Sequence, residues 1–113
     1  MKKVTIIVPC YNVEQYIDDC INSIKRQTIG MEHLEVIMVN DASTDASFDH
    51  ILAFEKEYPE SVLAVDLKEN VMQGGARNIA LSYASGEYIT FLDSDDWVED
   101  DFYEELYQIA KKI

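Results

Sequence analysis

A short acidic segment, Asp93-Ser94-Asp95-Asp96, contains the residues of this chain that are best suited to chemistry. It directly follows the apolar run at residues 88–92, whose composition predicts a strand. Three carboxylates this close repel one another unless water, helix N–H groups or a cation lies between them. Oxygens that converge at a strand end suit a hard cation such as Mg²⁺ or Mn²⁺, which in turn binds phosphate oxygens. The first interpretation of this segment is therefore a metal and phosphate site.

A plainer interpretation of the same segment is an acidic loop that starts a helix. Asp96 would be the N-cap of that helix and Glu99 would complete an acidic capping box, so the helix would begin near Glu99. An isolated Asp-x-Asp favours this plainer interpretation. The predicted strands and helices around these acids, and the polar residues expected near them, decide between a metal site and a helix start.

The elements alternate regularly along the chain. Apolar runs at residues 4–8, 34–39, 62–67 and 88–92 predict strands, and amphipathic segments after each run predict helices. The order β-α-β-α-β-α-β-α predicts an α/β fold of the Rossmann-like kind, a mostly parallel four-stranded sheet flanked by helices with right-handed crossovers. In such sheets ligands bind beyond the carboxyl ends of the strands, near the point where the strand order reverses.

Polar residues follow every predicted strand, which places them at one edge of that sheet. Tyr11 and Asn12 follow the first strand, Asp41 the second and Lys68 the third, while the acidic segment follows the fourth. Their shared position makes a binding site there more credible than any single cluster does. We also expect Pro9 to end the first strand, and Asn12 to cap the first helix with Gln15 reaching back.

Composition narrows the class of ligand. The chain has 113 residues, 48% of them hydrophobic, which is enough for one domain with a core. Its 22 acids against 9 bases give a formal net charge of -13. That charge disfavours nucleic acid or an anionic bilayer as the main partner, because both require clustered Lys and Arg. A nucleotide stays compatible, since a bound cation supplies positive charge locally.

The cysteines and the apolar segments indicate the cellular compartment in which the protein is expected. Cys10 and Cys20 fit no C-x-x-C pattern and are expected to be free, buried thiols in a reducing compartment. No signal peptide and no segment long enough to cross a bilayer is visible. We expect a cytoplasmic protein, with the inner face of the membrane as an alternative for a longer parent protein.

Four segments in order resemble the family 2 glycosyltransferases: VTIIVPCYNVEQYI, VIMVNDASTD, LKENVMQGGARNIAL and YITFLDSDDW. These are inverting, nucleotide-sugar-dependent enzymes with a GT-A fold. The resemblance covers residues 4 to 97, and four ordered motifs are far more specific than one Asp-x-Asp. It implies that residues 1–113 form a single domain, the donor-binding half of a longer enzyme, with cell-surface polysaccharide synthesis as its expected context.

The resemblance implies a set of donor-binding positions, with a UDP-sugar as the favoured donor. Tyr11 offers its ring to the pyrimidine, Glu14 accepts hydrogen bonds near the base or ribose, and Asp41 accepts from the imide N–H of uracil. The complete set is Pro9, Tyr11, Asn12, Glu14, Asp41, Ser43, Lys68, Gly75, Arg77, Asn78 and Asp93.

The loop and helix start at residues 68–78 are implied to pass over the nucleotide. Small residues there let the backbone approach the ligand, and a helix N-terminus favours anionic groups. The chain departs from the family pattern at Ala42, Met72 and Ala80, where the family commonly has Gly.

For the acidic segment the resemblance implies that Asp95 binds the divalent cation, Mn²⁺ or Mg²⁺, directly. Asp93 is implied to contact the ribose or a metal-bound water. The cation bridges the two phosphates and stabilises the charge that grows on the leaving nucleoside diphosphate. Asp96 keeps its interpretation as a helix cap, and Trp97 is expected to pack.

The general base of the family is an acid beyond the Asp-x-Asp half, so no catalytic residue is assigned within this chain. The saccharide or lipid-linked acceptor is expected to bind mainly to that later part. The last helix presents an apolar stripe, formed by Phe102, Leu106, Ile109 and Ile113. We expect the stripe to pack on the sheet, with homo-oligomerisation through it as the alternative.

Two other classes fit less well. A sugar-phosphate nucleotidylyltransferase requires a Gly-rich, basic loop after the first strand, and VPCYNVEQY has neither feature. A non-catalytic receiver-like module places its key acid after an early strand and a Lys after a late one. Here the strongest acidic cluster follows the fourth strand instead.

Overall fold

The computed structural model describes all 113 residues and confirms the alternation of strands and helices. A short 3₁₀ helix, Met31–His33, precedes the second strand. In chain order the main elements are β1 (Val4–Cys10), α1 (Ile17–Lys25), β2 (Leu34–Asp41), α2 (Ser47–Glu57), β3 (Val62–Leu67), α3 (Met72–Leu81), β4 (Tyr88–Phe91) and α4 (Phe102–Lys111).

The four strands form one sheet in the order β3-β2-β1-β4, and every neighbouring pair is parallel. The chain moves outward from β1 through β2 to β3 and then returns to the other side of β1. The strand order therefore reverses between β1 and β4, and their carboxyl ends flank the place where ligands bind in sheets of this kind.

Helices cover both faces of the sheet, so β1 is buried along its whole length. On one face α1, α2 and Tyr103 of α4 pack over the larger core. On the other face α3 contributes Ala76 and Ala80, which pack against Ile7 of β1 and against Ile37 and Val39 of β2. Two alanines on the inner side of α3 let that helix approach the sheet closely.

Pro9 does not end β1, as the sequence suggested, but lies inside the strand. The carbonyl of Ile7 accepts a hydrogen bond from the N–H of Leu92, so Ile7 directs its backbone groups toward β4. Pro9 is two residues further on and faces the same side, beyond the last β4 residue, Phe91. The missing N–H of proline therefore removes no bond from the sheet.

Two predicted helix starts are wrong. The first helix begins at Ile17 after Tyr16, so Asn12 is not its N-cap. The last helix begins at Phe102 after Asp101, so Asp96 and Glu99 form no capping box. In each case the chain continues through a loop before the helix starts.

The apolar stripe of α4 does not pack on the sheet, because the helix is rotated relative to the expectation. Gln27 fixes this rotation: its Oε1 accepts the N–H of Tyr103 at 3.0 Å, and its Nε2 donates to the carbonyl of Glu99 at 2.6 Å. Tyr103 consequently points into the core and is 1% exposed. The stripe is therefore exposed at all four residues: Phe102, Leu106, Ile109 and Ile113. Trp97, which was also expected to pack, is exposed as well.

Cys10 and Cys20 are both free and buried, as expected. Burial raises the pKa of the Cys10 thiol above its ordinary value and raises that of Cys20 to about 12, so both stay protonated near neutral pH. No helix combines the length and the apolar character needed to cross a membrane.

Candidate functional site

A cavity of about 430 Å³ lies at the carboxyl ends of β1, β2 and β4, where the first turn of α3 closes it. This is the edge of the sheet at which the polar clusters were predicted to meet. Its lining combines carboxylates, amides and apolar side chains: Pro9, Cys10, Tyr11, Val13, Asp41, Asn70, Met72, Gln73, Asp93, Ser94 and Asp95.

On the β1–β2 side of the cavity, Asn12 joins the loops that follow the two strands. Its backbone N–H donates to Ser43 Oγ at 3.1 Å. Its side-chain Oδ1 accepts a hydrogen bond from the backbone N–H of Thr44 at 2.8 Å. The side chain that was expected to start α1 is therefore bonded to the loop after β2.

Glu14, two residues after Asn12, also bonds to the loop that follows β2. Its N–H donates to Asp45 Oδ2 at 3.2 Å, and its Oε1 accepts the N–H of Ala46 at 3.0 Å. Val13 N–H donates to Ser47 Oγ at 2.9 Å, while Asp45 Oδ1 accepts the N–H of Ser47 at 3.0 Å. We call these contacts between residues 12–14 and 43–47 the interloop clamp.

The clamp changes the electrostatics of Asp45. Desolvation favours the neutral carboxyl, but hydrogen bonds from Ser47 and from the backbone of Glu14 outweigh it and lower the pKa of Asp45 below its ordinary value. The ionised carboxylate is the form that accepts these bonds, so the clamp is complete at neutral pH.

Asp41 lies at the end of β2, beneath the clamp, and is 3% exposed. Its Oδ1 accepts a hydrogen bond from the N–H of Val71 at 2.7 Å. Burial of a carboxylate requires such partners, and this one ties Asp41 to the residue before α3. Because Asp41 also lines the cavity, it is a recessed acceptor that a ligand can reach.

On the β4 side, the chain turns immediately after the strand and brings three carboxylates together. Asp96 N–H donates to the carbonyl of Asp93 at 3.0 Å, which closes the turn. One carboxylate oxygen from each of Asp93, Asp95 and Asp96 lies within 4.8 Å of the others, and all three residues are exposed. We call these three residues the acidic tip.

The donor set of the acidic tip fits a hard divalent cation. Such ions take carboxylate oxygens as ligands and keep further positions for water or phosphate. The side-chain carboxylates of Asp95 and Asp96 make no hydrogen bond or ion pair with other side chains or with backbone N–H groups, so their oxygens are free to act as ligands. Asp93 differs because two side chains of α3 reach it.

Those two side chains are Gln73 and Arg77, one helical turn apart on α3. Gln73 Nε2 donates to Asp93 Oδ1 at 2.9 Å, and Arg77 Nη2 lies 3.6 Å from the same oxygen. The guanidinium of Arg77 also stacks over the ring of Phe91, 5.2 Å from its centroid. Its Nε is buried and has no hydrogen-bond partner.

Three residues other than glycine have a positive φ angle; two lie in loops at this edge of the sheet, and the third is the first residue of α3. They are Asn12 (50°), Ala42 (60°) and Met72 (66°). Left-handed backbone costs about 1 kcal/mol or more for a residue with a Cβ, and such conformations concentrate at functional sites. Ala42 and Met72 are two of the three positions where the resembled family commonly has Gly; the third, Ala80, has no positive φ angle.

The cavity lining brings together four of the predicted donor-binding residues and the predicted metal ligand Asp95; the four are Pro9, Tyr11, Asp41 and Asp93. The side chains of Asn12 and Glu14 bond within the clamp, and the hydroxyl of Ser43 accepts there. Four further predicted residues lie outside the lining: Lys68, Gly75, Arg77 and Asn78. A donor-binding role for any of these positions stays a prediction.

Six lining residues were missed by the analysis of the sequence: Cys10, Val13, Asn70, Met72, Gln73 and Ser94. Asn70 and Gln73 had a usable signal, since both are polar and flank the start of α3. Ser94 lies between two predicted ligands but is buried, at 6% exposure. The apolar members carry no signal of their own, because they line the cavity only through the turns of their neighbours.

A doubly wound parallel sheet with polar groups at its switch point defines the class as an α/β protein with a ligand cavity at the carboxyl ends of its strands. Comparison with known families makes this specific: the model of Glycosyl transferase family 2 matches residues 5–113. The chain belongs to that family.

Individual relatives agree with this assignment. The chain is 45% identical over 106 residues to glycosyltransferase GlyA of Streptococcus pneumoniae, which covers 94% of the chain and 15% of GlyA. Among solved structures it is similar to S. aureus TarS 1-349 in complex with UDP-GlcNAc, with a TM-score of 0.90 and 31% identity over 97% of the chain and 31% of TarS 1-349. It is also similar to the mannosyltransferase PcManGT from Pyrobaculum calidifontis in complex with GDP-Man and Mn²⁺, with a TM-score of 0.83 and 29% identity over 96% of the chain and 32% of PcManGT.

These solved neighbours have the same Rossmann-like GT-A arrangement that the sequence predicted. The chain spans less than one third of the length of GlyA, TarS 1-349 and PcManGT.

Proposed function

We propose that this chain is the donor-binding domain of a glycosyltransferase, formed by residues 1–113, and that it binds a nucleoside diphosphate sugar together with a divalent cation. One observation carries the proposal: a buried acceptor, Asp41, and a cation-compatible acidic tip line the same cavity at the switch point of the sheet. Their placement suits a ligand with a base at one end and a diphosphate at the other.

The nucleoside end is proposed to lie across β1 and β2. Tyr11 is 47% exposed and offers a ring face to a flat base. Asp41 uses one carboxylate oxygen for Val71, which leaves the other to accept from a base that carries an N–H. An imide such as that of uracil meets this requirement, and the neighbour TarS in complex with UDP-GlcNAc supports a UDP-sugar.

The diphosphate end is proposed to lie at the acidic tip, where Asp95 and Asp93 hold the cation, Mn²⁺ or Mg²⁺. The Mn²⁺ complex of the neighbour PcManGT supports this choice. When bound, a divalent cation offsets the negative charge that develops on a departing nucleoside diphosphate. The residues of this chain bind and orient the donor so that its anomeric carbon faces an acceptor hydroxyl.

The proposal includes inversion at that carbon, with the general base and most of the acceptor site supplied by residues beyond this chain. The acceptor is proposed to be a saccharide or a lipid-linked molecule. One relative, the poly(ribitol-phosphate) beta-glucosyltransferase of Bacillus spizizenii, with 39% identity over 97% of the chain and 17% of that protein, supports an acceptor that carries hydroxyl groups. By itself the chain is expected to bind a donor but to turn over little.

Calorimetric titration of UDP with and without Mn²⁺ tests this function. The wild-type chain is expected to bind UDP more tightly with Mn²⁺, and Asp95→Ala is expected to abolish that gain. Asp19→Ala, which removes an exposed acid of α1, serves as the matched control. UDP binding that ignores Mn²⁺ in the wild type, or a gain that persists in Asp95→Ala, contradicts the proposal.

The base preference has a separate test. Asp41→Ala is expected to weaken UDP binding at least tenfold and CDP binding much less, because cytosine lacks the imide N–H. An unchanged ratio of UDP to CDP affinity would remove Asp41 from the role of base reader while leaving the metal arm of the proposal intact.

A further inference from the structure

We propose that Gln73 is a positioning residue for the cation site: its side-chain amide holds the Asp93 carboxylate in the orientation that groups its oxygen with those of Asp95 and Asp96. This inference rests on the proposed function, since it concerns the same cation. Gln73 was not among the residues that the sequence pointed to, and it acts through Asp93 rather than on the donor.

The geometry of the contact is direct. Gln73 Nε2 lies 2.9 Å from Asp93 Oδ1, which is a normal hydrogen-bond length, and Gln73 lies in the first turn of α3. Arg77 Nη2 is 3.6 Å from the same oxygen, beyond that length, so Arg77 contributes charge without fixing the carboxylate. The amide is the one side-chain group that makes a hydrogen bond to Asp93.

The chemistry of an amide suits this task. Three carboxylates within 4.8 Å repel one another, so an unrestrained Asp93 side chain gains by rotating away from Asp95 and Asp96. A neutral donor opposes that rotation without adding a positive charge that competes with the cation. A carboxylate in its place would add a fourth negative charge and could not donate.

The effect of the Gln73 side chain on the cation site can be measured separately from the effect of the neighbouring backbone on the nucleoside end. Val71, two residues earlier, donates its N–H to Asp41 at the other end of the cavity, and this contact does not involve the Gln73 side chain. Removing the amide should therefore disturb the cation end and leave the nucleoside end intact. A general loss of structure in the 70–77 segment would weaken both ends together.

Gln73→Met tests the inference because it keeps the length of an exposed side chain and removes the donor. Mn²⁺ affinity in the presence of saturating UDP is measured by electron paramagnetic resonance, and UDP affinity without metal by calorimetry. We expect a roughly tenfold loss of Mn²⁺ affinity, as for other residues that orient metal ligands. We expect UDP affinity without metal to change less than twofold. Gln108 is an exposed residue of α4, and Gln108→Met is the matched control. It should change neither the Mn²⁺ affinity nor the UDP affinity.

The coupling to Asp93 gives a second readout. In an Asp93→Ala background, Gln73→Met should lower Mn²⁺ affinity by less than twofold, because the group that it positions is gone. The inference is overturned if Gln73→Met behaves like Gln108→Met, if it weakens UDP equally with and without Mn²⁺, or if its effect persists in the Asp93→Ala background. Failure of the proposed function looks different, since Asp95→Ala would then leave the Mn²⁺ gain unchanged.

Discussion

The two sides of the cavity satisfy their polar groups in opposite ways. At the interloop clamp, the carboxylates of Glu14 and Asp45 each accept a hydrogen bond from a backbone N–H of the facing loop, and Asp45 accepts another from the N–H of Ser47 at the start of α2. At the acidic tip, Asp95 and Asp96 make no such bond, and Asp93 has only Gln73 and the more distant Arg77. The same residue type therefore stabilises the fold on one side and strains it on the other.

This difference indicates that the two sides of the cavity have different roles. Acids that bond to backbone N–H groups fix loop geometry, which makes the β1–β2 side a preformed surface for a rigid group such as a base. Acids that face one another raise the energy of the ligand-free chain and lower it again when a cation binds. Stability measurements on matched acids can therefore separate the two sides.

The largest expected effect is at the clamp. Asp45→Ala removes two hydrogen bonds, from the N–H groups of Glu14 and Ser47, and should lower the free energy of unfolding by about 1–2 kcal/mol. Urea unfolding followed by circular dichroism measures it. Asp49→Ala removes an exposed acid from the first turn of α2 and should cost only a few tenths of a kcal/mol. Equal losses in both variants would mean that the clamp bonds contribute nothing specific.

A bound cation is expected to stabilise the chain through the acidic tip and not through the interloop clamp. Mn²⁺ at ten times its dissociation constant is expected to stabilise the wild-type chain by about 1.4 kcal/mol, or roughly 5 °C in the melting temperature. Asp45→Ala should keep this gain, because the clamp and the tip are separate, whereas Asp95→Ala should lose it. A gain that disappears in Asp45→Ala would show that the two sides form one unit.

The fold was predictable because its signals are local. Continuous apolar runs and amphipathic segments gave all four strands, all four main helices and the parallel sheet. The ends of the elements were less predictable, since they depend on contacts between distant residues. Pro9 stays in β1 because β4 is short, and the rotation of α4 depends on Gln27, more than seventy residues before Tyr103.

The candidate site shows the same limit. Asp41 and the acidic segment were expected at one edge because each follows a strand of a parallel sheet, and the structure places them around one cavity. The sequence did not reveal that Asn12 and Glu14 bond to the facing loop, because each also resembles a helix-start residue. Nor do Ala42 and Met72 look like left-handed residues, since neither is a type that favours a positive φ angle.

A pH series sharpens the clamp side of the comparison. The folded chain lowers the pKa of Asp45 below its ordinary value of 3.8, so its contribution to stability is complete above that pH. It is lost as the pH falls through the lower folded value. Asp45→Asn should therefore be less stable than wild type at pH 7 by about 1 kcal/mol, with the difference vanishing in strong acid. A difference that stays constant down to pH 2 would mean that the charge of Asp45 is irrelevant.

The smallest effect is expected at the tip and has the opposite sign. Asp96→Asn removes one of three mutually repelling charges and no hydrogen bond, so it should raise the free energy of unfolding by about 0.5 kcal/mol at low salt. Asp19→Asn on α1 is the control and should change little. The gain should shrink in 1 M salt, where charges a few ångströms apart are screened.

A loss of stability in Asp96→Asn would contradict the comparison, because it would mean that this carboxylate makes a stabilising contact like that of Asp45. A gain that Mn²⁺ reverses, so that wild type becomes the more stable chain, would support it in the strongest form. The carboxylate that destabilises the metal-free chain would then be one that strengthens cation binding, which adds Asp96 to the proposed cation ligands Asp93 and Asp95.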